Sequence, residues 1–182
     1  MLEIRWHGRG GQGAVTSVEL LAIAAIEEGK YAQAFPSFGP ERRGAPVEAF
    51  NRVDKQQIRI RSRIYNPDVA VVLDESLVNL INVAAGLKPD GLLIVNTTRS
   101  ADEIRNALNY KGKVATVDAT GIAWKELGVP ITNTTMLGAL VKATKVVKLE
   151  ALRAPVEHRF GRIANKNMAA LKRAFDEVKI NG

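Results

Sequence analysis

The chain has 182 residues and no cysteine. Disulfides are therefore excluded, and so is any metal ion or iron–sulfur cluster held by thiolates of this chain. Histidine is nearly absent. His7 and His158 are the only two, too few for a typical zinc site unaided, and isolated histidines of this kind read as structural or solvated. Aromatic residues make up 5% of the chain. That scarcity argues against a nucleic-acid surface, where aromatics interleave with basic side chains, and no recognised nucleic-acid motif is present. Long apolar runs are missing too. The longest, Val69–Leu73 and Gly91–Val95, fall far short of the roughly 18 residues of a membrane span. The opening Met1-Leu2-Glu3-Ile4-Arg5 lacks the apolar stretch of a signal peptide, so a cytoplasmic location and no membrane partner are expected.

What is present describes one globular domain over residues 1–182. Apolar residues account for 46% and charged residues for 25%, which is globular composition. A chain of this length buries roughly 70% of its unfolded surface. The net charge is +7 with a sequence pI near 9.8. Three partner classes fit such a surplus: nucleic acid, an anionic cofactor and an acidic protein. The first ranks last for want of aromatics.

Hydrophobic patterning divides the chain without any repeat or linker. Leu2–His7 alternates and reads as a short strand. A glycine loop follows over Gly8–Gly13. Ala14–Glu28 carries strong helix formers with little polar surface, and Gly29 supplies a C-cap. A helix apolar nearly all round is expected to be buried, in this domain or against another chain. Phe35–Gly44, with two prolines and two glycines, is expected to be irregular. Ala45–Val53 reads as a strand, Asp54-Lys55-Gln56 as a turn, and Gln57–Ile64 as the clearest strand of all. There Ile58, Ile60 and Ile64 point one way and Arg59, Arg61 and Arg63 the other. Together these two strands suggest a hairpin, with the arginines on a solvated or edge-protecting face.

After Pro67 the pattern changes. Val69–Leu73, Leu92–Val95 and Val114–Val117 are short, continuous apolar strands separated by helical stretches near Leu77–Ala85 and Ala101–Leu108. Ser100 and Glu103 stand at capping-box spacing for the second helix. Such strands fit an α/β fold with a mainly parallel sheet covered on both faces. They end at Asp74, Asn96 and Asp118, and the carboxyl ends of an open α/β sheet line its ligand crevice. The remainder is expected to be helical. Asn133 or Thr134 caps a helix over Thr135–Val147, and Ala164, Met168, Leu171, Phe175 and Val178 form a stripe at helical spacing that reads as core.

Gly8-Arg9-Gly10-Gly11-Gln12-Gly13 follows a strand and opens a helix, so it satisfies G-x-G-x-x-G in context. Glycines bring the backbone close to a ligand. The helix N-terminus offers unpaired N–H groups to a phosphate, and Arg9 adds charge. The dinucleotide form of the motif also needs an acidic residue at the end of a second strand about 20 positions on. Glu27 and Glu28 instead lie at the helix end, so an NAD(P) enzyme is an alternative and not the first choice. The structural alternative is that the glycines only permit tight strand–helix packing.

That loop, taken together with Ser37-Phe38-Gly39-Pro40-Glu41-Arg42-Arg43-Gly44-Ala45-Pro46-Val47, resembles the gamma subunit, or fused gamma domain, of 2-oxoacid:ferredoxin oxidoreductases. Asn133-Thr134-Thr135-Met136-Leu137-Gly138-Ala139-Leu140 looks like the same family, as do Arg159-Phe160-Gly161 and Asn165-Lys166-Asn167. The Arg-Arg-Gly-Ala-Pro-Val form is similar to the pyruvate and branched-chain members. The resemblance implies a three-layer α/β/α sandwich. It also implies a multi-subunit enzyme that converts a 2-oxoacid, coenzyme A and oxidised ferredoxin to acyl-CoA, CO2 and reduced ferredoxin. Thiamine diphosphate and iron–sulfur clusters then sit in partner alpha, beta and delta subunits, and no catalytic residue, cofactor or metal is expected on this chain itself. The gamma domain has been associated with coenzyme A, whose phosphates suit arginine. Arg9, Gly10, Gly11, Gln12, Gly13, Arg42 and Arg43 are the candidate binding residues. A purely structural docking subunit remains the alternative.

Overall fold

A computed structural model describes residues 1–37 and 44–182. Its strands are β1 (Leu2–Arg9), β2 (Tyr31–Pro36), β3 (Pro46–Asp54), β4 (Val69–Val72), β5 (Leu92–Asn96), β6 (Lys113–Val117) and β7 (Lys179–Asn181). They form one sheet in the order β2-β3-β1-β4-β5-β6-β7. The strands β1, β4, β5 and β6 are mutually parallel. The flanking pairs β1–β3, β2–β3 and β6–β7 are antiparallel, so the sheet is mixed around a parallel centre.

Helices cover both faces, as an α/β/α sandwich requires. Successive residues of β4 take opposite sides: Val69 and Val71 join the larger core, Ala70 and Val72 the smaller. The larger core packs against α1 (Ala14–Glu27), α5 (Asn133–Thr144) and α7 (Ala164–Glu177), with α4 (Ala119–Leu127) and α6 (Arg153–Phe160) beside them. The smaller core holds α2 (Ser76–Leu80) and α3 (Ala101–Leu108). The α3 helix starts in a complete capping box between Ser100 and Glu103, as its sequence requires. Close passage of α5 and α7 depends on Gly138, where a Cβ would lie 1.9 Å from the carbonyl oxygen of Leu171.

Several expectations are corrected. Gln57–Ile64 is not a strand and pairs with no other strand. The antiparallel hairpin instead joins β3 to β2. The reason is topological: β3 already has β1 on one side and β2 on the other, so no ladder edge is free. Residues 57–64 lie over the sheet face instead. Gln33 donates to the carbonyl of Ile60 (3.0 Å), Arg52 donates to that of Ser62 (2.7 Å), and Ile64 is buried. A period of two reports a two-faced segment and says nothing about a ladder partner.

The second correction is β2 itself. Phe35 and Pro36 belong to a strand and not to an irregular stretch. Proline is tolerated because β2 is the outermost strand. The helix expected near Leu77–Ala85 ends after one turn at Leu80. At α5 the N-cap is Thr132, without a side-chain bond to the helix, rather than Asn133 or Thr134. Within this domain α1 is buried on one side only, and Val15, Ile23 and Ile26 are exposed on it, which leaves open the expected alternative of burial against another chain.

Candidate functional site

The carboxyl ends of β1, β4, β5 and β6 share one edge of the sheet because these strands are parallel. The crevice falls between β1 and β4, where the connections diverge: α1 leads from β1 toward β2 on one side, and the chain after β4 proceeds toward β5 on the other. This is the place where open α/β sheets bind ligands. Here the glycine loop leaves β1.

Gly13 takes a left-handed conformation (φ 83°) and caps α1 with no side-chain bond, so the helix presents its N-terminal amides uncapped by any side chain. A Cβ at Gly13 would also lie 2.6 Å from Nδ2 of Asn133. Gly11 is likewise left-handed (φ 94°) and exposed.

Polar side chains fasten this loop to β4. Gln12 accepts from the backbone N–H of Arg9 (2.8 Å) and donates to Asp74 Oδ2 (2.7 Å). Arg9 Nε donates to the same oxygen (3.2 Å), Nη2 donates to Ser76 Oγ (2.7 Å), and Nη1 donates to the carbonyl of Gly44 (2.9 Å). Ser76 closes the network by donating its N–H (2.9 Å) and hydroxyl (2.5 Å) to Asp74 Oδ1. Burial works against the Asp74 carboxylate, yet the hydrogen bonds from Ser76 and Gln12 and the charge of Arg9 outweigh it and lower its pKa. Arg9 has five donors, and three nitrogens are engaged in this way. Among the described residues one N–H on each Nη has no partner.

The two signature segments meet here. Gly10 donates to the carbonyl of Ala45 (2.9 Å), and Gly44 donates to that of Gly10 (3.2 Å). The end of the second loop is therefore stitched to the first. Arg42 and Arg43 themselves lie outside the described residues. The remaining signature stretches gather beneath α1. Ser17 donates to the backbone carbonyl of Asn133 (3.2 Å), Thr134 donates to Asn167 Oδ1 (2.8 Å), and Arg159 reaches Thr16 Oγ1 (3.4 Å). Asn133, Thr134 and Asn167 are buried, so they support the loop from within and do not face a ligand.

Beyond Asp74 the edge opens into a cleft of about 480 Å³ lined by Glu75, Asn96, Thr97, Thr98, Asp118 and Thr120 among others. Asn96 donates to the Leu73 carbonyl (2.8 Å) and to Thr120 Oγ1 (2.9 Å), and Asp118 caps α4 through Gly121 N–H (2.8 Å). The strand ends marked by Asp74, Asn96 and Asp118 thus do line one crevice. Its lining is rich in acceptors and carboxylates, which suits hydroxyl and amide groups. Among the described residues around this cleft, the glycine loop offers backbone N–H groups suited to a phosphate.

A dinucleotide site of the usual kind is not formed. The β2 strand runs in the same direction as β1, but β3 is inserted between them, and among the described residues β2 carries no acidic side chain at its Pro36 end. Sequence reasoning missed Ser76. The signal for it was the Asp74-Glu75-Ser76 spacing, in which an aspartate accepts from the backbone two residues on.

Comparison with known proteins decides the family. The model for pyruvate ferredoxin/flavodoxin oxidoreductase matches residues 3–177. The chain belongs to the pyruvate ferredoxin/flavodoxin oxidoreductase family. Within it the chain is a gamma-type subunit. It is 56% identical to the common gamma subunit of the pyruvate/ketoisovalerate oxidoreductases of Thermococcus kodakarensis, over 99% of this chain and 98% of that one. It is 51% identical to the pyruvate synthase subunit PorC of Methanothermobacter marburgensis, over the full length of both. The crystal structure of the pyruvate oxidoreductase subunit PORC of Thermotoga maritima superposes with a TM-score of 0.90 at 45% identity, covering 100% of this chain and 98% of that one. The resemblance carried by the two glycine-rich segments is therefore correct for the oxidoreductase chain as a whole.

Proposed function

We propose that this gamma subunit works in a multi-subunit, cytoplasmic 2-oxoacid:ferredoxin oxidoreductase of the pyruvate type and helps to bind coenzyme A. The complex converts a 2-oxoacid, coenzyme A and oxidised ferredoxin to acyl-CoA, CO2 and reduced ferredoxin. Alpha, beta and delta subunits carry thiamine diphosphate and iron–sulfur clusters, and this chain contributes no redox group. Its part is to hold the phosphates of coenzyme A with the backbone of Gly10, Gly11, Gln12 and Gly13, the remaining donors of Arg9, and Arg42 and Arg43.

The observation that supports this reading is the pair of hydrogen bonds joining Gly10 to Gly44 and Ala45. They fix Gly44 and Ala45, which follow Arg42 and Arg43 in the sequence, against the glycine loop that opens α1, where backbone N–H groups favour an anion. Multiple negative charges entering a crevice require such partners. The test is steady-state kinetics of the assembled enzyme carrying Arg9→Ala, Arg42→Ala or Arg43→Ala. Loss of a charge-assisted contact is worth about 1.5–3 kcal/mol, or roughly 10- to 100-fold in the Michaelis constant for coenzyme A. If that constant, ferredoxin reduction and assembly are unchanged in every variant, the coenzyme A role is wrong. If only assembly fails, the arginines hold subunits together instead.

A further inference from the structure

We infer that the outer edge of β2 is a strand-addition site for an extended, acidic segment of another subunit. The inference rests on the chain's place in a multi-subunit enzyme and not on its coenzyme A site.

The two sheet edges differ. At one end β7 has three residues, carries Lys179, and has the carbonyl of Asn181 covered by Arg105 Nη2 at 2.7 Å. Short, charged and covered edges are how folded proteins prevent unwanted pairing. At the other end β2 has six residues, Tyr-Ala-Gln-Ala-Phe-Pro, with no charge among them. Among the described residues of this edge, the one blocking residue is the terminal Pro36.

The register shows which backbone groups are open. Ser37 N–H donates to the carbonyl of Glu48 at 2.9 Å, continuing the β2–β3 register. In an antiparallel ladder inward and outward groups alternate. Gln33 and Phe35 therefore face β3, while Ala32 and Ala34 turn their N–H and C=O outward. Among the described residues no loop or side chain bonds to those groups. A groove of about 430 Å³ runs along this edge, lined by Ala32, Gln33, Ala34, Phe35 and Arg61.

Charge selects the occupant. Arg59 and Arg61 are exposed and form no salt bridge among the described residues, whereas Arg63 pairs with Glu48. Pairing β2 with β2 of a second copy would bring two such basic clusters together, and like charges across strands are destabilising. A strand bearing Asp or Glu on the Arg61 side neutralises them while its backbone bonds Ala32 and Ala34. This is β-augmentation, in which main-chain bonds supply affinity and flanking side chains supply specificity.

The experiment compares amide exchange of the full chain alone with that of the purified complex. Exchange at Ala32 and Ala34 is expected to slow at least ~10-fold on assembly. A wild-type chain that co-purifies with no other subunit overturns the assembly reading and this one with it. A complex whose Ala32 and Ala34 amides stay fast overturns the edge alone. Protection in the isolated chain together with dimer formation assigns the edge to a second copy and overturns the acidic partner. Ala34→Pro removes an outward N–H and leaves the β3 ladder intact. It is expected to melt with the wild type yet assemble about 10-fold more weakly. Arg61→Glu is expected to weaken assembly similarly and to abolish part of its salt sensitivity. Wild-type assembly by both variants overturns the proposal. Should Ala34→Pro fail to fold, the exchange measurement decides alone. Cross-linking from Arg61→Cys that captures a segment without acidic residues also overturns it.

Discussion

Replacing Asp74 by Asn would test whether the carboxylate holds the glycine loop. In the native chain Asp74 accepts from Arg9 Nε, Gln12 Nε2, and the N–H and hydroxyl of Ser76. An amide keeps one oxygen and turns an NH2 toward donors, so about half of these contacts are lost, and the neutralising charge beside Arg9 goes with them. Hydrogen bonds to charged groups contribute roughly 1.5–3 kcal/mol each when buried. At this partly solvated rim the loss is about 2 kcal/mol. For a chain of this size that lowers Tm by about 4–8 °C. The assay is thermal unfolding followed by circular dichroism at pH 7, repeated in acid. Because the folded pKa of Asp74 is lowered from its ordinary 3.8, its contribution is complete above that value. It disappears as pH falls below it. The gap between wild type and Asp74→Asn should therefore close in the same acid range. Arg9→Ala should reproduce part of the loss, and the double variant should fall short of the sum. A Tm within 1 °C of wild type at pH 7, or strict additivity with Arg9→Ala, would refute the idea that Asp74 organises the loop.

Gly138→Ala places a Cβ 1.9 Å from the Leu171 carbonyl oxygen, which belongs to helix backbone and cannot swing away. A loss of about 3 kcal/mol or more, read by urea unfolding, is expected; a neutral result would mean that α5 and α7 do not cross so closely. His7 is buried, and burial first, then the charge of Arg5, holds its pKa down at about 3 against an ordinary 6.5. The unfolded chain thus takes up the proton first, and stability falls as pH drops from 6.5 toward 3. At pH 5 this amounts to about 2 kcal/mol, so His7→Gln should flatten the decline between pH 6.5 and 5, and an unchanged slope would show that His7 is solvated.

Much of this protein was legible in the order of its residues, because some signals are local. The capping box at Ser100 and Glu103, the apolar runs of β4, β5 and β6, and the strand–glycine–helix succession at residues 2–28 each depend on neighbours a few positions apart. Specific segments such as Gly8–Gly13 and Ser37–Val47 were enough to place the chain in its family. The tertiary structure decided what depends on distant partners. It alone put β3 between β1 and β2, which left Gln57–Ile64 without a ladder despite its alternation and made Pro36 harmless on an edge. It alone brought Asp74 and Ser76 against Arg9, more than sixty positions away, and turned the arginine of the glycine loop into part of a clamp. The physical reason is that a pattern of period two or 3.6 states which faces a segment offers. Which neighbour takes each face is settled only when all segments compete for the same sheet edges and the same core.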